Sequence, residues 1–145
     1  MKSAEVRFYF DADILGLGKL IAGLRSDCTY PGDPGAVVHK RQRPRCSIEC
    51  PATDDTVWIP KVTSEGLLII TRDARIQRRV AEVRAVVENA AGMIALSSAD
   101  AGTLWGQLEV LMTRWRSIEE LSEVPRPFVY RASRTVLTRV DLPRS

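Results

Sequence analysis

A chain of 145 residues with 45% hydrophobic and 27% charged side chains has the balance of a folded globular domain, which excludes a disordered segment and a membrane-spanning bundle. Its apolar runs, such as Gly66-Leu67-Leu68-Ile69-Ile70, are far shorter than the roughly 20 residues needed to cross a bilayer. The net charge is +3, and of the 21 basic residues only Lys2, Lys19, Lys40 and Lys61 are lysine; the arginine excess suits bidentate contact with phosphate and permits a nucleic-acid partner.

This length predicts one domain spanning residues 1–145. Met1-Lys2-Ser3-Ala4-Glu5 leads straight into a strand-like segment without the apolar region of a signal peptide. Three cysteines make no disulfide framework. Together these point to the cytoplasm, with the thiols reduced.

Arg7 to Phe10 reads as a short buried strand, and Ile14, Leu17, Leu20, Ile21 and Leu24 follow at helical spacing. From residue 30 to 51, Pro and Gly punctuate a basic cluster, His39-Lys40-Arg41-Gln42-Arg43-Pro44-Arg45, which predicts a long loop. Asp54-Asp55 then precedes a helix of about two turns that ends near Glu65-Gly66, glycine being favoured at the C′ position. Leu67 to Thr71 reads as a strand covered on both faces. Asp73 opens a helix over 74–91, with Ile76, Val80, Val83, Val87 and Ala90 on one side. Met93 to Leu96 is a third strand, and Asp100 is placed to cap a helix through Leu104, Leu108, Leu111, Trp115 and Ile118. Phe128-Val129-Tyr130 and Val136-Leu137-Thr138, within about 126–141, predict a hairpin on the sheet edge. The alternation gives a three-layer α/β domain with a mostly parallel central sheet flanked by helices.

Ligands of such sheets bind beyond the carboxyl ends of the strands. Asp11 and Asp13 lie at that end of the first strand, and Asp73 lies just past that end of the Leu67 to Thr71 strand. If the two strands are neighbours, these three acids share one region, and a right-handed crossover can bring Asp55 to the same edge. Carboxylates gathered so closely need protons or a cation. Oxygen ligands without histidine or cysteine suit Mg2+ or Mn2+ rather than zinc. A carboxylate-bound divalent ion beside a basic surface points to phosphodiester chemistry. Asp55 and Asp73 are equally well placed as helix N-caps.

Phe-Asp-x-Asp closing the first strand, then Asp55-Thr56-Val57-Trp58-Ile59-Pro60, and after a helix Leu68-Ile69-Ile70-Thr71-Arg72-Asp73, resemble PIN-domain ribonucleases. More narrowly, they resemble the VapC-type PIN-like toxins of bacterial toxin–antitoxin modules. The resemblance runs from about Arg7 to Leu96 and implies Mg2+- or Mn2+-dependent cleavage of RNA by a metal-bound water. It assigns Asp11, Asp55 and Asp73 as metal ligands, with Thr71 shaping the site and Asp54 a further possible ligand. It also implies an antitoxin partner and allows a homodimer. The chain departs from the family where a helical glutamate is usual, since that region is the basic loop. Asp13 stands where serine, threonine or asparagine is usual and offers the missing charge. Arg75 replaces a further acid of some relatives.

Arg72, Arg75, Arg78 and Arg79 around the mouth of this site, and Lys40, Arg41, Arg43 and Arg45 in the loop, read either as holders of RNA phosphates or as a solvated surface. Asp-x-Asp also opens haloacid-dehalogenase-like phosphatases, but these need a late lysine, and none follows Lys61. His39, Cys46 and Cys50 lack a fourth partner for zinc, and Cys28 reads as a small buried residue. A PIN-like domain that binds RNA or protein without cutting is the remaining alternative.

Overall fold

The short aromatic strand near the start of the chain is buried on both faces. In a computed structural model, which describes residues 1–72 and 76–143 and only the backbone of 76–79, a two-residue strand β1 (Lys2–Ser3) precedes β2 (Phe8–Phe10). A 3-10 turn (Ala12–Ile14) joins β2 to α1 (Leu15–Leu24), after which come β3 (Cys28–Thr29), β4 (Ala36–Val38) and β5 (Arg41–Arg43). The second half alternates α2 (Asp55–Ser64), β6 (Leu68–Arg72), α3 (Ile76–Asn89), β7 (Gly92–Leu96) and α4 (Leu104–Leu121), then closes with β8 (Phe128–Ala132) and β9 (Leu137–Val140).

Six strands make the main sheet in the order β3-β2-β6-β7-β8-β9. All neighbours are parallel except the β8–β9 hairpin, which forms the edge as the sequence predicts. Alternation along β2 divides the core. Phe8 and Phe10 face α1 and α4, whereas Tyr9 faces α2 and α3 with Trp58, Ile59, Ile69 and Val86. α1 lies close against β2, since a Cβ at Gly18 would come within 2.9 Å of the Phe10 Cβ; any larger residue there pushes the helix off the strand that carries Asp11. Gly66, at φ +79°, ends α2 in the left-handed conformation expected of a C′ glycine.

Several expectations are corrected. The predicted loop over 30–51 is ordered: β4 and β5 pair antiparallel, and β5 runs parallel to β1, forming a second three-stranded sheet. Buried Arg43 fixes it, through Asp33 and the last carbonyls of α1. Capping shifts by one or more residues, because Thr103 rather than Asp100 caps α4; Asp100 instead accepts from Arg134. Among the described side chains of α3 the buried ones are Glu82 and Val86, while Val83 and Val87 are half-buried and Val80 faces solvent. The face predicted from valine spacing is thus rotated rather than matched, with its Val80 and Ala90 exposed, because β-branched residues at the edge of a helix surface imitate a core stripe. The outer side of α1 and α4 leaves Leu20, Leu24, Leu104, Trp105 (76% exposed) and Met112 (69% exposed) uncovered. Among the described residues no helix is long and apolar enough to cross a membrane.

Candidate active site

The chain leaves β2 for β3 on one side and returns to β6 on the other. Ligands of open α/β sheets sit where the strand order reverses in this way. Phe10 is the register partner of Ile70, and the ladder runs one step further, with the Asp11 amide donating to the Ile70 carbonyl at 2.9 Å. Asp11 and Thr71 therefore stand side by side at the carboxyl ends of two adjacent strands.

Asp11 is 3% exposed and caps the 3-10 turn, its Oδ1 accepting from the Ala12 amide at 2.6 Å. Such a turn presents amide N–H groups to its cap and favours a carboxylate there. The turn also directs Asp13 back over the strand ends. The fully buried Thr71 hydroxyl lies 3.0 Å from Asp11 Oδ2 and 3.2 and 3.0 Å from the two Asp13 oxygens. Asp13 also accepts from the Arg72 amide at 3.2 Å. One hydroxyl carries one proton, so it cannot donate fully to two carboxylates together.

Asp54, not Asp55, caps α2, accepting from the Thr56 amide and hydroxyl. These bonds hold its carboxyl below the ordinary value. Asp55 is left to the first helical turn, where it accepts from the Trp58 indole N–H at 2.7 Å. The buried indole stacks on Tyr9, with centroids 5.2 Å apart and planes at 27°. Burial, then the charges of Asp11, Cys46 and Asp55, push the Tyr9 phenol far above its ordinary value. Asp11 and Asp55 therefore bear on one phenol, which ties the start of α2 to the Asp11 end of β2. The i, i+3 spacing of Asp55 and Trp58 was legible in the sequence, but nothing there marked Tyr9 as the link.

The raised phenol has a consequence for stability. As pH climbs past about 10, the unfolded chain releases this proton while the folded chain keeps it. The contribution of the neutral phenol is complete below that pH and is lost above it. The urea midpoint is expected to fall from about pH 10 upward, and Tyr9→Phe to lessen that fall.

The other predicted residues divide. Asp73 and Arg75 lie outside the described residues, as do the side chains of Arg78 and Arg79. Arg72 is at the site, half-buried. Lys40 and Arg41 are exposed on the β4–β5 hairpin, and the adjacent His39 bonds to the carbonyl of Leu24, the last residue of α1. Asp11 to Ile14 precede the first residue of that helix, so the hairpin sits at its opposite end and does not overhang the carboxylates. Arg43, expected to face RNA, is 3% exposed and paired with Asp33 at 2.7 Å.

Among the described residues no three His, Cys, Asp or Glu side chains gather at metal-binding spacing. His39 bonds to backbone and Cys46 is buried while Cys50 is exposed. The donors that do meet, Asp11 and Asp13, are hard oxygens of the kind that magnesium and manganese take.

Residues 7–98, well over half of the chain, match the family described as PIN like domain. No curated protein and no solved structure matches the chain.

Proposed function

This chain belongs to the PIN-like domain family, whose members are typically nucleases, and we propose that it is a Mg2+- or Mn2+-dependent endoribonuclease, the toxin of a cytoplasmic toxin–antitoxin pair. The observation that carries the reading is the meeting of Asp11 and Asp13 at one Thr71 hydroxyl, at the switch point of the sheet.

Asp11, Asp55 and Asp73 would hold the cation, with Asp13 adding the charge that the family usually draws from a helical glutamate. When bound, the ion activates water and offsets charge on the phosphate. The chain's own part is to orient. Thr71 directs the Asp11 and Asp13 oxygens, and the Ala12 amide holds the Asp11 carboxylate in place by donating to it. The Trp58 indole fixes Asp55 in one rotamer. Arg72, with Arg75, Arg78 and Arg79, draws the RNA backbone to the acidic pocket. Asp54 supports the site by capping the helix that carries Asp55.

An antitoxin would cover this pocket and place a cation among the carboxylates. The uncovered Leu20, Leu24, Leu104, Trp105 and Met112 on α1 and α4 support a homodimer through that face.

Trp58→Phe keeps the stack on Tyr9 and deletes the N–H that Asp55 accepts. Manganese affinity is expected to weaken roughly 10–100-fold, read as a higher concentration for half-maximal thermal stabilisation.

The functional reading is tested by expressing the chain alone beside an Asp11→Ala, Asp73→Ala double variant, with growth and RNA integrity followed together. Arrested growth and fragmented RNA are expected with the wild type only. Equal growth and intact RNA in both cultures sink the toxin reading, while arrested growth over intact RNA favours the non-cutting alternative.

A further inference from the structure

The far end of α1 carries positive charge that the fold itself does not use. His39 and Arg43 have a structural job there, since their N–H groups donate to the Leu24, Ala22 and Arg25 carbonyls at the helix C-terminus. Lys2, Lys40 and Arg41 have no such job. All three are exposed, and none forms an ion pair among the described residues. Lys2 and Arg41 are register partners on adjacent strands, an arrangement in which like charges repel. Glu5 is the exposed acid nearest them in sequence.

The turn between β4 and β5 adds a second cost. His39 and Lys40 both take left-handed backbone, at φ 50° and 63°. Two-residue hairpins of this type strongly prefer Asn-Gly or Asp-Gly, because side chains disfavour that region. Glycine at position 40 would relieve the turn and would remove a charge beside Arg41, while His39 keeps its bond to the Leu24 carbonyl. The fold alone would select against this sequence, and an anionic partner offsets both costs.

We infer that Lys2, Lys40 and Arg41 form a second contact surface for the phosphodiester backbone of RNA, separate from the acidic pocket. The inference rests on the ribonuclease reading for the identity of the polyanion. It also sets a minimum substrate length. The ten residues of α1 separate the two surfaces by about 15 Å at the helical rise of about 1.5 Å per residue. A strand stacked at about 3.4 Å per nucleotide crosses that distance in about five nucleotides. A trinucleotide placed at Asp11 cannot reach the hairpin, whereas an RNA of about twelve nucleotides can. The substrate class is therefore extended or structured RNA, held at both ends of α1.

The experiment measures binding without metal, by fluorescence anisotropy, with a labelled trinucleotide and a labelled RNA of about twelve nucleotides. Each is titrated against the Asp11→Asn chain and against that chain also carrying Lys40→Glu and Arg41→Glu, over a range of salt. Lys2→Ala provides a variant that leaves the turn untouched. For the longer RNA, affinity should fall, and the slope of log affinity against log salt should shrink by about 0.7 for each phosphate no longer neutralised, about 1.4 for the double change. The trinucleotide, too short to span both surfaces, should bind more weakly than the longer RNA. An unchanged slope for the longer RNA overturns the inference, as does a trinucleotide that binds as tightly as the longer RNA. Binding to phosphatidylserine vesicles with the same sensitivity to Lys40→Glu and Arg41→Glu also overturns it, by giving the surface to a membrane. Since cleavage is not measured, a wild type that fails to cut RNA yet shows the length-dependent binding defeats the nuclease reading and leaves this one standing.

Discussion

Asp11→Asn is expected to lower the rate of RNA cleavage by the purified chain on the order of 10²–10³-fold, a loss typical of removing one preorganised electrostatic group from an active site. The substitution is chosen for what it keeps. Asparagine caps helical turns about as well as aspartate, so the acceptor for the Ala12 amide and the start of the 3-10 turn are retained. It has the same size, which matters at a side chain that is almost wholly buried beside Thr71. What disappears is one negative charge and one hard oxygen. The melting temperature without metal should stay close to that of the wild type, which separates loss of chemistry from loss of fold. Cleavage that survives at more than about a tenth of the original rate would remove Asp11 from the catalytic machinery.

The largest effect on stability is expected at Asp33 and Arg43. Both are buried, and they bond to each other and to the surrounding backbone. The Asp33 carboxylate accepts from Thr29 Oγ1 at 2.8 Å, the Gly35 amide at 2.9 Å and Arg43 Nε at 2.7 Å. Arg43 also donates to the Ala22 carbonyl at 2.8 Å. Removing one partner leaves the other charged and buried, so Asp33→Ala is expected to cost about 3–5 kcal/mol. At this chain length that corresponds to a fall in melting temperature of roughly 10 °C, measured calorimetrically. Replacing both residues with apolar ones of similar volume should cost much less, because neither charge is then stranded. The site should feel the single change too. The segment that follows β5 carries Cys46 and Ile48 into the cluster beneath Tyr9 and Trp58, and Trp58 holds Asp55.

The contrast between these two sites shows what the sequence makes legible. Strand and helix order came through because period and punctuation are local properties: β6 is an unbroken apolar run, and Gly66 ends α2 at positive φ. The pairing of Asp11 with Thr71 was reachable because a parallel sheet puts carboxyl ends together once β2 and β6 are taken as neighbours. The Asp33–Arg43 pair was not reachable in the same way. Pro, Gly and charged residues from 30 to 51 read as loop, yet a buried ion pair ten positions apart in sequence holds a small sheet there. Composition reports the cost of burying charge but not the partner that offsets it. Similarly, Asp54 and Asp55 are indistinguishable as caps from sequence, and the choice is made by the indole of Trp58, which claims Asp55 and leaves Asp54 to the helix end. The exposed valine at position 80 and the buried Glu82 rotate the face expected for α3, since spacing alone does not say which stripe meets the sheet.

The central claim, that the carboxylates at the switch point hold a divalent cation, is tested most directly by melting the wild type and Asp11→Asn with and without manganese. A ligand that binds only the folded state raises stability by an amount set by its concentration relative to its dissociation constant, about 2.7 kcal/mol at a hundredfold excess. A manganese-dependent rise of several degrees is expected in the wild type, largely lost in Asp11→Asn. A wild-type transition that manganese leaves unmoved, or a rise of equal size in the two proteins, would contradict it.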